Sequence, residues 1–375
     1  MKVIIDDKIP FIKRVLELYA DVEYYAGKTI TREMLIDADA IIIRTRTKCN
    51  ADLLEGTTVK FIASATIGYD HIDTQYCDKK GIFWTNAPGC NSGSVMQYMA
   101  SALLFYARQK NINLKDRVLG VVGVGNVGRK IVKLAEVLDM RVILNDPPKV
   151  REEGLCGFIS LDGVLREADI ISFHVPLNMS GEDKTYHLAD ADFIEKMNEG
   201  SILINTSRGE VVDTLALKSA LEKGKLSGAI IDVWENEPDI DTELLNQVTI
   251  ATPHIAGYSA DGKANGTKMA VRQFSRFFGL GLDDWEPDDV PQVKGPEIFC
   301  DGRNKSFQEI VTEICLQTYP IQTENNWLRD DCKKFEIYRG NYPVRREFFN
   351  YTITLSNVNG EEIKKLERLG FKVKK

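Results

Sequence analysis

Long apolar runs are missing from this sequence: none of its 375 residues lies in a stretch approaching the ~18 apolar residues that a membrane span needs. The opening Met1-Lys-Val-Ile-Ile-Asp6-Asp7 meets acid before a signal-peptide core can form, so cytoplasmic residence is expected. CxxC pairs are missing as well. The seven cysteines, at 49, 77, 90, 156, 300, 315 and 332, are odd in number and scattered, which argues against zinc or redox centres and for free thiols in a reducing compartment. No metal is expected. Positive charge is in short supply: 48 Lys and Arg stand against 55 Asp and Glu, a net −7, so the basic footprint that a phosphate backbone demands is absent and nucleic acid is not an expected partner. Internal repeats and low-complexity tracts are also lacking.

What is present is the material for a sizeable core. Hydrophobic residues make up 43% of the chain, and its length suits two to three domains. Over the first 90 residues, strand candidates Val3–Ile5, Ala40–Arg44, Phe61–Ala65 and Phe83–Thr85 alternate with helix candidates near Phe11–Tyr19 and Asp70–Lys80, the rhythm of a parallel sheet. A helix over Val95–Gln109 opens a second module, with Pro88-Gly89 as a hinge before it. There the rhythm strengthens through Val118–Val122, Arg141–Leu144, Ile170–Phe173, Ser201–Asn205, Ala229–Val233 and Val248–Ala251, six strands of a doubly wound nucleotide fold. A helix near Ala260–Phe278, with no strand after it in this module, is expected to cross back to the first one, and a Gly-, Pro- and acid-rich linker follows over 279–291. The last ~80 residues form a third unit, with helix patterns at Phe307–Leu316 and Glu361–Leu369 and a strand at Thr352–Leu355. The expected architecture is α/β: two Rossmann-like doubly wound lobes, 1–92 with 260–280 and 93–259, plus a C-terminal α+β domain over 290–375.

The glycines of Gly123-Val-Gly125-Asn-Val-Gly128 follow an apolar strand and open a helical pattern. In that context Gly123 makes a tight turn, Gly125 lets the backbone approach a pyrophosphate and Gly128 packs helix on strand. Asp146 ends the next strand 18 residues on, where a carboxylate accepts hydrogen bonds from a ribose and repels a 2′-phosphate, favouring NAD over NADP. Three later strands run into Arg208, into Glu235 and Glu237, and into His254. Such strand ends line the ligand crevice of an open sheet. Arg can grip a carboxylate in a fork, His can exchange the proton of a carbinol, and a Glu can hold the imidazole. Composition alone leaves Glu235 and Glu237 as rivals; Asp232 either ends its strand or points to the same crevice. Singly, each of these residues has an ordinary structural explanation.

Four ordered motifs now carry a resemblance: Gly123-Val-Gly125-Asn-Val-Gly128, Asn205-Thr-Ser-Arg208-Gly-Glu-Val-Val-Asp213, Asp232-Val-Trp-Glu-Asn-Glu237-Pro238 and Thr252-Pro-His254-Ile-Ala-Gly257. Over residues 1 to about 280 the chain resembles the D-isomer-specific 2-hydroxyacid dehydrogenases. The resemblance implies Arg208 as binder of carboxylate and carbonyl, Glu237 as the imidazole's partner and His254 as acid/base. Further strings, Arg44-Thr-Arg-Thr-Lys48, Asn86-Ala-Pro-Gly-Cys-Asn91, Asp146-Pro-Pro148, His254-Ile-Ala-Gly-Tyr258 and Asn341-Tyr-Pro-Val-Arg-Arg-Glu347, narrow it to a member with a phosphorylated 2-hydroxy acid substrate and an extra C-terminal dimerisation domain. By that resemblance a homodimer is implied. NAD would be held by Gly123, Gly125, Asn126, Val127, Gly128, Asp146, Val175, Thr206, Ser207, Arg208, Asp232 and Gly257, and Thr45, Thr66 and Tyr258 would touch substrate. Val175 and Gln97 depart from the family pattern: a hydroxyl residue is expected at the first and a Glu at the second. For the phosphate the basic string gives Arg44 as first candidate, and the pair Arg345-Arg346 gives Arg346 as second. Rival readings are another member of the family, with a different 2-hydroxy acid, and a catalytically idle NAD-sensing protein on the same fold.

Overall fold

The computed structural model describes residues 1–154 and 157–374, and Cys156 lies outside them. Two compact units emerge, the first made of Met1–Asn91 with Ser259–Gln292 and the second of Ser92–Tyr258 with Val293–Lys375.

The first unit is built on a parallel sheet in the order β2-β1-β3-β4-β5, with β1 Lys2–Asp6, β2 Asp21–Tyr25, β3 Ala40–Ile43, β4 Phe61–Ser64 and β5 Phe83–Thr85. Strands β3 and β4 are buried at every position, as apolar runs in a parallel sheet covered on both faces should be. The helix Ala260–Phe278 returns the chain to this sheet and packs on β4, with Phe274 edge-on to Phe61 at 5.5 Å between ring centres. Gly266 permits the close approach: a Cβ there would lie 2.3 Å from the carbonyl oxygen of Ala65. The segment around Phe11–Tyr19 is not the expected helix but a chain of turns. Phe11 and Arg14 have φ of 62° and 67°, values a right-handed helix cannot contain, while Ile12 and Leu16 still fill the core. Strand β2, absent from the sequence reading, is a half-buried edge whose Asp-Val-Glu-Tyr-Tyr composition carries little apolar signal.

The second unit holds six parallel strands in the order β11-β10-β9-β8-β6-β7, namely β6 Val118–Val122, β7 Arg141–Asn145, β8 Ile170–Phe173, β9 Ser201–Asn205, β10 Leu226–Ile231 and β11 Ile250–Ala251. The winding reverses between β6 and β8, the switch point at which such sheets bind ligands. Beyond β7 the sheet is extended by one isolated bridge, Leu144 with Phe158.

The C-terminal segment has its own parallel sheet, β12-β13-β14, from β12 Glu297–Asp301, β13 Thr352–Ser356 and β14 Lys372–Lys374. Its core is continuous with that of the nucleotide-type sheet. The helix Ser92–Lys110, buried over most of its length, packs against both the helix Asn126–Val137 and the C-terminal helix Phe307–Thr318, so Leu103, Ile131, Ile310, Ile314 and Ile353 share one hydrophobic cluster. Each such side chain contributes about 1.5–3 kcal/mol by leaving water. Polar groups finish the seam: Gln308 accepts from Leu114 N (2.8 Å) and donates to Ile112 O (2.9 Å), and Asn325 accepts from Ala251 N (2.8 Å) at the sheet's edge strand. Among the described residues no helix is long and apolar enough to cross a membrane.

Candidate active site

Every strand end of the six-stranded sheet delivers a side chain or amide to the same side, beginning with the glycine loop. Gly123 has φ of 87°, and a Cβ on it would lie 2.6 Å from the His174 carbonyl oxygen; one on Gly128 would lie 2.1 Å from the carbonyl oxygen of Gly123. Gly125 faces open space instead. It caps the helix Asn126–Val137 without a side-chain hydrogen bond, and the first turn carries no acid, so the amides around Asn126 and Val127 are left to an anion. Asp146 braces this loop: Oδ2 accepts from Val124 N (2.7 Å) and Oδ1 from Lys149 N (3.2 Å). A carboxylate has about four acceptor positions, so capacity remains for ribose hydroxyls. Val175, just past β8, lines the loop, and its Cγ1 would stand 2.8 Å from a Cβ at 123. After β9, Ser207 Oγ donates to Asn205 Oδ1 (2.8 Å), Arg208 Nη1 donates to Ser207 O (2.7 Å), and the buried hydroxyl of Thr206 has no partner among the described residues. Uncapped amides, open space at Gly125 and that hydroxyl fit a dinucleotide.

The two acids after β10 have separate imidazoles. Glu237 Oε2 lies 2.8 Å from His254 Nδ1, while Glu235 Oε1 lies 2.7 Å from His187 Nε2. Glu237 Oε1 also accepts from Trp234 N at 3.0 Å. Burial works to raise the Glu237 carboxyl, but His254, the hydrogen bonds and Arg339 outweigh it and hold it below its ordinary value. An ionised Glu237 makes Nδ1 of His254 the donor, which leaves Nε2 as the nitrogen with a free lone pair.

Asp232, 1% exposed, is committed to the turn that carries His254. Its Oδ1 accepts from Ile255 N (2.8 Å) and from the Thr252 hydroxyl (2.7 Å), and its Oδ2 from Ala256 N (2.9 Å). Tyr98 extends the chain with its hydroxyl 2.7 Å from Thr252 Oγ1. Burial pushes the Asp232 carboxyl above its ordinary value, opposed by His254, Thr252 and the two amides. Gly257 completes the turn. Tyr258 lies under the Arg339 guanidinium, 5.6 Å from the ring centre, and edge-on to Tyr342.

Sequence reasoning missed Tyr98 and Arg339 here, and it gave no role to Thr252, which it quoted only within a motif, or to Arg345, which it saw only as half of a basic pair. Arg339 and Arg345 come from the C-terminal segment, some 80 to 90 residues further along the chain, and only apposition could reveal their place here. Arg346 is buried, with Nη2 donating to Asn350 Oδ1 (2.7 Å) and its carbonyl accepting from Gln97 Nε2 (2.9 Å). Arg44, Thr45 and Thr66 belong to the first unit. There Arg44 Nε pairs with the buried Asp6 carboxylate at 3.4 Å, Thr45 is exposed, and Thr66 Oγ1 shares a hydrogen bond with Ser64 Oγ at 2.8 Å.

Comparison with known proteins agrees with this geometry. Residues 97–256 match the family described as D-isomer specific 2-hydroxyacid dehydrogenase, NAD binding domain, and residues 290–370 match a domain of unknown function. The chain is 51% identical over 355 residues to an erythronate-4-phosphate dehydrogenase of Bacteroides thetaiotaomicron, covering 94% of this chain and 99% of that one. It is 38% identical over 374 residues to the enzyme of that name from Photorhabdus laumondii, covering 99% of each. Among solved structures, D-lactate dehydrogenase from Aquifex aeolicus complexed with NAD and lactic acid superposes with a TM-score of 0.64 at 28% identity, over 76% of this chain and 97% of that one. With its glycine loop, its NAD-binding sheet and its near full-length likeness to these relatives, the chain belongs to the erythronate-4-phosphate dehydrogenase family of the D-isomer-specific 2-hydroxyacid dehydrogenases.

Proposed function

We propose that this NAD-dependent dehydrogenase oxidises 4-phospho-D-erythronate at its C2 hydroxyl to (R)-3-hydroxy-2-oxo-4-phosphooxybutanoate, a step toward pyridoxal 5′-phosphate, as a homodimer in the cytoplasm. The observation that carries the reading is the Glu237–His254 pair at 2.8 Å, set at the strand ends of the sheet that bears the glycine loop. NAD supplies a hydride acceptor. His254 Nε2 takes the hydroxyl proton as the C2 hydride departs, and Glu237 stabilises the imidazolium that results. Arg208 grips the substrate carboxylate and stabilises charge as it develops on the C2 oxygen, which acts more strongly on the transition state than on the ground state. The dinucleotide lies along Gly123–Gly128 with its ribose on Asp146, and the 206–208 loop, Val175, Asp232 and Gly257 complete its surroundings. Thr45, Thr66 and Tyr258 contact substrate. Arg44 is the first candidate for the phosphate and Arg346 the second, each offering a fork to an anion of about two charges.

The test is a substrate panel with NAD: 4-phosphoerythronate, 3-phosphoglycerate, glycerate and lactate. A kcat/KM for 4-phosphoerythronate at least about tenfold above the rest, about 1.4 kcal/mol, is expected. Preference for 3-phosphoglycerate would assign a different acid to the same chemistry, and binding of NAD without turnover of any acid would make the chain a sensor.

A further inference from the structure

We propose that Arg345, from the C-terminal segment, is a positioning residue for His254: its guanidinium holds the carbonyl side of the turn that aims the imidazole. The proposal rests on the reading of His254 as proton acceptor given above.

His254 has a φ of 56°, in the left-handed region that a side-chain-bearing residue occupies only when its surroundings over-determine it. The amide side of the turn is fixed by Asp232: its carbonyl oxygen accepts from His254 N at 2.7 Å, and its carboxylate accepts from Ile255 N and Ala256 N. The carbonyl side is fixed by Arg345, whose Nη2 donates to Ile255 O at 3.1 Å and to Ala256 O at 2.6 Å. Ile255 and Ala256 therefore have their N–H groups on a buried anion and their C=O groups on a buried cation, and the peptide that joins them is held at both ends. Both charges are oriented to favour that one dipole direction, and slackening either end releases the backbone that carries the imidazole.

Arg345 is only 5% exposed, and a buried charge is costly unless it is well partnered. Its partners are specific. The Tyr319 ring lies 4.4 Å from the guanidinium carbon and the Tyr342 ring 5.7 Å, and the hydroxyls of both tyrosines donate to Glu324, which shares the pocket. Its Nε and Nη1 make no hydrogen bond among the described residues, so the hydrogen bonding of this side chain is spent on the His254 turn. An apolar residue would fill the space as well; it could not hold two carbonyl oxygens. The 293–375 segment would thus contribute to catalysis through the active-site backbone, a role separate from subunit assembly.

Arg345→Lys and Arg345→Met test this, with Arg329→Met as control. Arg329 ties the same segment to Val248 O (2.7 Å), two residues before β11, and has no hydrogen bond to the turn among the described residues. Expected for both Arg345 variants are a kcat lower by about 10- to 100-fold, as for an ångström-scale misplacement, a larger isotope effect with C2-deuterated substrate, and an NADH Kd within twofold of wild type. Arg329→Met should lower Tm and leave kcat within twofold. Arg345 variants that keep kcat and isotope effect, or an Arg329 variant that loses kcat equally, would overturn the proposal. Should neither Arg345 variant fold, Tyr319→Leu removes the ring beneath the guanidinium and leaves the cation; a two- to fivefold loss of kcat at unchanged NADH affinity supports the proposal, and no loss overturns it. If the wild-type protein turns over no 2-hydroxy acid, the functional reading fails separately. Positioning is then read from the ¹⁵N signals of the His254 imidazole: a tautomer balance shifted away from Nδ1–H in Arg345→Lys supports it, and identical signals overturn it.

Discussion

Glu237 and Glu235 stand two residues apart and face different imidazoles, His254 at 2.8 Å and His187 at 2.7 Å. Side-chain direction, not charge, separates them, and it gives each carboxylate a distinct consequence when removed.

For the first pair, His254→Ala is expected to lower kcat by about 10²- to 10⁴-fold, the usual size of a lost general acid/base, with NADH affinity nearly unchanged. Glu237→Gln should also lower kcat at little cost in NADH affinity, because the imidazolium that forms as the proton is taken loses its counter-charge. Steady-state rates and NADH titrations check both; an undiminished kcat in Glu237→Gln would falsify the pairing.

Stability carries a second signature of Glu237. Its folded-state carboxyl lies below the ordinary 4.5, so its contribution is complete above that value and is lost as pH falls through the lower, folded-state value. The Tm gap between wild type and Glu237→Gln should be widest near neutrality and close in acid. A gap independent of pH in thermal melts would assign the loss to packing.

Asp146 sets cofactor choice in this account. NAD should be used at least about tenfold better than NADP in kcat/KM, about 1.4 kcal/mol, and Asp146→Ser should narrow the preference. Equal use of the two cofactors by the unaltered enzyme would remove the ribose role and leave Asp146 as the brace of Val124 and Lys149.

Replacing Arg44 by Ala should raise KM for 4-phosphoerythronate about 10- to 150-fold more than for unphosphorylated erythronate, the loss of a charge-assisted bond of about 1.5–3 kcal/mol. The variant also leaves the buried Asp6 carboxylate without its cation, so a fall in Tm accompanies the change. Equal losses on the two substrates would move the phosphate site to Arg346.

The proposed homodimer, with its interface in the C-terminal segment, is tested at Phe299, 68% exposed on β12, and at the exposed Phe349. Light scattering should give a dimer for the full chain and more monomer for the double replacement by Glu. A dimer unaffected by it would place the interface elsewhere.

Much of this molecule was readable from residue order because parallel strands, covered on both faces, appear as uninterrupted apolar runs such as Ile202–Ile204, and because the site hangs from their ends. Gly123, Asp146, Arg208, Glu237 and His254 all stand one to six residues past a strand. The segment 11–19 misled because Ile12 and Leu16 keep helical spacing while positive φ at Phe11 and Arg14 bends the backbone otherwise. Asp232 was placed correctly at a strand end, but its commitment to the amides of Ile255 and Ala256 depends on a turn closed in three dimensions. Arg345 was visible only as half of a basic pair; its partners lie about 90 residues back in the sequence.

The first unit is assembled from two stretches of the sequence set apart by residues 92–258, and this imposes an order on biosynthesis. Phe61 on β4 waits for Phe274, and Ala65 for Gly266, with some 170 residues of the second unit emerging in between. At about 5–20 residues per second a nascent chain spends about 10–30 seconds with one face of that sheet uncovered. The protein therefore passes through a window of exposure to chaperones and proteases on the ribosome, through strands whose shelter is encoded some 170 residues later.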